Sequence, residues 1–99
     1  MINAVTVSNP AHRRSAWERL CRAVITTMCI RWLQVQGFRV LRIEQDHALP
    51  RIFIGAGPLC EALLGEGATS HFERGIGFQR RYKQVMLADC EVRWNEGEA

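Results

Sequence analysis

The chain has 99 residues, 47% of them hydrophobic and 23% charged, with a formal net charge of +3. That length suits one domain, residues 1–99, with apolar content for a single core, and it is too short for a dinucleotide-binding fold. No run of about 20 uncharged apolar residues spans a bilayer, and the four cysteines at 21, 29, 60 and 90 contain neither a C-x-x-C pair nor a zinc-finger histidine spacing.

Ile2 to Ser8 alternates loosely and is rich in β-branched residues, which predicts a first strand; it lacks the basic start and apolar core of a secretory signal. Reduced thiols in a cytosol are therefore the expectation. Two helix starts follow. Asn9-Pro10 offers a cap with proline at the first helical position, and Ser15-Ala-Trp-Glu18 has the capping-box form. The helix runs to Gln36, and Gly37 supplies the left-handed residue that ends it.

At about 100° per residue, Trp17, Leu20, Cys21, Val24, Ile25, Met28, Trp32 and Val35 form one stripe, with Arg19, Arg22 and Thr26 opposite. The stripe is expected to face the core. Ile30 and Leu33 lie well off it, and leaving them in water forgoes about 1.5–3 kcal/mol per large side chain, so either another part of the chain covers them or Val24, Ile30 and Leu33 form an association surface.

Phe38 to Gln45 reads as a second strand whose alternation slips at Val40-Leu41, the signature of a bulge. Arg51 to Ile54 reads as a third. Gly55-Ala-Gly-Pro58 stops it and Pro58 opens a short helix, Leu59 to Leu64. Gly65 to Gln79 is Gly-rich and suits a packed excursion or an irregular hairpin arm. Met86, Ala88, Cys90, Val92 and Trp94 alternate with Leu87, Asp89, Glu91 and Arg93, as in a strand with one apolar face. The acidic end, 95–99, is expected to be disordered. The fold class is α+β: a β-α-β-β-α-β ferredoxin-like order, or one long helix packed on an antiparallel sheet.

Strand, G-x-G and helix resembles a phosphate-binding turn, but Cys60 stands at the third glycine position, so no cofactor is expected. His12, His47 and His71 are widely spaced, so no metal site is expected either. Cys90 beside Asp89 has the residue types of a nucleophilic site, yet alternation turns one inward and the other outward, so no catalytic residue is assigned. Through Leu49 there are seven arginines against three acids; from Pro50 onward, six bases against seven acids. A nucleic-acid surface would use Arg39, Arg42, Arg51 and Phe53, although the first strand carries Thr6 where a stacking ring belongs.

Pro50-Arg-Ile-Phe-Ile54, then Pro58-Leu-Cys60, then Cys90-Glu-Val-Arg-Trp94 after a Gly-rich arm resembles short accessory proteins carried by bacteriophages and prophages. The resemblance covers about half the chain. It implies a small accessory protein of a temperate phage that acts in a bacterial cytosol by binding something, with no catalytic residues to carry across. The surplus apolar surface around Ile30 and Leu33 adds the expected partner, a second copy in a homodimer or a host protein, and the residues themselves give no expectation of a cofactor or a membrane.

Overall fold

The computed structural model describes residues 15–96. Its elements are a helix, α1 (Ala16–Gln36), strands β1 (Val40–Glu44) and β2 (Arg51–Ile54), a π-helical turn (Cys60–Leu64), and strands β3 (Thr69–Gly75), β4 (Phe78–Leu87) and β5 (Cys90–Glu96). The strand expected over Ile2–Ser8 and the Asn9-Pro10 start lie outside the described residues. The second start is the one used. Ser15 Oγ accepts from Glu18 N–H and Glu18 Oε1 accepts from Ser15 N–H, both at 3.0 Å. Gly37, at φ 104°, closes the helix and donates to Gln34 and Leu33 carbonyls.

One five-stranded sheet has the order β1-β2-β5-β4-β3. The β2–β5 pair is parallel and the others antiparallel, so the sheet is mixed. The fold is α+β, one long helix on one face of the sheet. The slip at Val40-Leu41 is a bulge between Val40 and Arg42.

Two strand assignments change. The 65–79 segment, expected as a packed excursion or an irregular hairpin arm, supplies β3 and the Ile76-Gly77 turn of a regular hairpin whose second arm, β4, runs on to Leu87. The single strand expected from Met86 to Trp94 is broken: Leu87 pairs with Cys90 across a two-residue turn in which Ala88 takes φ 55°. Alternation survives the reversal from Cys90 onward, while Met86 and Ala88 are exposed. At the far end β5 continues through Asn95 and Glu96, which pair with Tyr82 and Arg81 rather than belonging to a disordered tail.

The core lies between helix and sheet. It contains Cys29 and Leu33 of α1, Phe38, Ile52 and Ile54, Cys60 and Leu64 of the π-turn, and Cys90, Val92 and Trp94. Ile25 and Ile30 pack at its margin.

Candidate interaction surface

The helix face that meets the sheet is the one on which Arg22, Thr26, Cys29 and Leu33 lie. Thr26, Cys29 and Leu33 are buried, Leu33 with no exposed surface. The polar groups on this face are matched one by one. Arg22 donates to Gln45 Oε1 at 3.0 Å and to the carbonyls of Gln45, His47 and Ala48 at 3.0, 2.6 and 2.8 Å, which fastens the β1–β2 loop to the helix. Thr26 Oγ1 donates to Arg22 O at 2.7 Å and Cys29 Sγ to Leu87 O at 3.2 Å. Small side chains at 26 and 29 let the helix approach β5 closely.

This turns the expected helix orientation by nearly half a turn. The stripe assigned to the core is the outer face. Trp17 is 71% exposed, Met28 64% and Val35 79%, and Leu20, Val24 and Trp32 are exposed as well. Of the three residues expected to associate, Leu33 is in the core and Ile30 packs against it, so neither offers a surface; Val24 does. Periodicity found the stripe correctly. What it missed is that Arg22 and Thr26, which read as solvent-facing, have partners in the 45–48 loop and on the helix itself.

From Trp17 to Val35 the exposed row climbs about 27 Å at ~1.5 Å per residue, with members one turn apart. A hollow of about 450 Å³ beside its first half is lined by Trp17, Cys21, Ile25, Leu49 and Pro50 together with the charged Glu18, Arg22 and Asp89, and more of its surface is apolar than polar. A row of this length is the kind of contiguous apolar patch that marks an interaction face. No helix among the described residues is long and apolar enough to cross a membrane.

The opposite side of the sheet brings Arg42, Arg51 and Phe53 together. Arg42 lies 3.9 Å over the Phe53 ring and donates to Glu44 at 3.1 Å; Arg51 donates to Glu91 at 2.9 Å. Arg93 covers Tyr82 at 4.4 Å and donates to Gln84 at 2.7 Å. Each guanidinium is thus matched to a carboxylate, an amide or a ring, and Phe53 is already stacked. Arg39 stands apart, its guanidinium beside Gly55 at the end of β2. A phosphate would compete with carboxylates at this face.

Glu44, Asp46 and His47 bring ligand atoms within 4.8 Å of one another. Arg51 lies 3.1 Å from His47 Nε2, so a cation there would face a guanidinium. The cluster works as an ion-pair network: the His47 hydrogen bond and the Arg42 charge hold the Glu44 carboxyl below its usual range. Cys90 is buried beside Cys29, and burial pushes its thiol up to about 12, with Cys29 adding to the effect. A thiol held protonated is a poor nucleophile. Gly55 donates to Arg39 O, and Cys60 N–H caps onto Gly57 O, so the G-x-G segment serves as strand-to-turn punctuation.

No curated protein and no solved structure matches the chain. A family model does match, over residues 20–95, which takes in nearly all of α1, the whole sheet but its last residue, and the outer apolar row from Leu20 onward. The chain therefore belongs to the Kil protein family, a family of phage-encoded proteins.

Proposed function

We propose that this phage protein is a non-enzymatic binding module of the bacterial cytosol, and that it docks a protein through the outer face of α1. The observation that carries the reading is the row Trp17, Leu20, Val24, Met28, Trp32 and Val35, exposed along a helix whose other side already fills the core. Six large apolar side chains in water forgo about 1.5–3 kcal/mol each, and nothing among the described residues covers them. Photo-crosslinking tests it. A benzophenone side chain replacing Met28 should give protein adducts in expressing bacteria, whereas one replacing exposed Glu66 should not. Equal adduct yields at the two positions would refute the docking face.

A second reading, nucleic-acid binding, draws support from the β3–β4 arm rather than from Arg42 and Arg51. Arg74 and Arg81 make no ion pair among the described residues, Phe72 and Phe78 are exposed beside them, and Ile76 stands fully exposed at the tip. A mobility-shift titration decides it: binding that weakens steeply with salt and is lost in the Arg74→Ala, Arg81→Ala double variant supports the arm.

A further inference from the structure

We infer that the outer face of α1 is a two-fold interface, on which a second copy of this chain lies antiparallel with the crossing point at the level of Thr26. The inference rests on reading this face as a docking surface and names its occupant.

The row is symmetric about its centre. Trp17 and Val35 each stand nine residues from Thr26, and Val24 and Met28 each stand two. In an antiparallel pair related by a two-fold axis, a side chain meets the one equally far beyond the centre, and residues on one flank of the seam stay on that flank. Trp17 then packs on the second copy's Val35, and Val24 on its Met28, with each contact made twice. On one flank Trp32 reaches the second copy's Cys21. On the other, Arg31 reaches the second copy's Leu20, its aliphatic stem covering the leucine while the guanidinium stays in water. These flanking pairs centre within half a residue of the same point. Large side chains meet smaller ones throughout.

A parallel pair has none of this. It would set Trp17 on Trp17 and bring the two Arg31 side chains together along the seam, like charge against like. The area is also adequate. At the exposures observed, the six side chains offer roughly 700 Å² per copy, close to the ~800 Å² per partner of a stable interface. Because the sheet lies behind the helix, the assembly has four layers, sheet, helix, helix, sheet, and leaves the β3–β4 arms uncovered.

Sedimentation of Val24→Glu, Met28→Lys and their equimolar mixture tests the arrangement, with circular dichroism confirming that each variant is folded. The wild-type chain should be a dimer at tens of micromolar, and each variant should be a monomer, with at least a tenfold weaker dissociation constant. The mixture should regain a dimer of one copy of each, because the antiparallel register sets the introduced acid against the introduced base. A monomeric wild type at 100 μM, a dimer that survives either substitution, or a mixture that stays monomeric would each overturn the inference. A monomeric wild type that still gives Met28 adducts with other proteins would retire the dimer while leaving the docking face intact.

Discussion

Leu33 and Met28 are five residues apart on one helix, yet one is wholly enclosed and the other 64% exposed. Truncating them should separate stability from association. Leu33→Ala should cost about 2–5 kcal/mol in chemical denaturation, since a cavity opens among Ile52, Val92 and the other core side chains. Met28→Ala, measured at sub-micromolar concentration where chains are separate, should cost under about 0.5 kcal/mol. The reverse order would mean that the outer face is the buried one after all. Cys90 makes a different prediction. Its folded thiol titrates near 12 and an unfolded thiol near 8.5, so between those values the folded chain holds the extra proton. The stabilisation is complete below about pH 8.5 and is lost as pH rises toward 12, at up to about 1.4 kcal/mol per unit. Cys60, whose thiol burial also raises, steepens the same limb. Thermal melts from pH 7 to 10.5 should show this decline, and Cys90→Ala should flatten it.

Among the elements, those whose local chemistry is self-contained could be read from the residues: the Ser15–Glu18 capping box, the Gly37 stop, the Val40-Leu41 bulge, and β2 with Ile52 and Ile54 on one face. Two features hid in plain view. The β4–β5 turn uses Ala88-Asp89, with no glycine or asparagine to mark the reversal, and the flanking alternation reads straight through it. The inner face of α1 is polar by residue type and buried by partnership, so a pattern built on hydrophobicity points the helix the wrong way. Both can be probed. Ala88 at φ 55° bears the ~1–2 kcal/mol that a Cβ costs in the left-handed region, against ~0.5–1 for the added freedom of glycine. Ala88→Gly should therefore raise unfolding free energy by roughly 0.5–1 kcal/mol; a loss would show that the turn relaxes without glycine. Arg22→Met keeps the stem but removes the donors to the 45–48 loop. Amide hydrogens at 45–48 should then exchange at least tenfold faster while those of β5 keep their protection.

At the scale of the whole molecule, a helix lies between a sheet that covers one side and solvent on the other, and the two sides have opposite logic. The inner side spends polar groups on specific partners; the outer side carries the large apolar residues and offers them outward. If that outer side is the seam between two copies, folding and association are one equilibrium, and the melting temperature must depend on concentration. Each tenfold dilution removes about 1.4 kcal/mol per mole of dimer, which for two 99-residue chains corresponds to roughly 3–6 °C. Melts at 1, 10 and 100 μM should therefore rise in steps of that size for the wild-type chain and fall on one value for Val24→Glu. Because the seam is apolar, the steps should persist at 0.5 M salt, where contacts made by exposed charges are largely screened. A wild-type melting temperature that stays level across the hundredfold range would mean that α1 meets water, or something other than its own kind, when the chain folds.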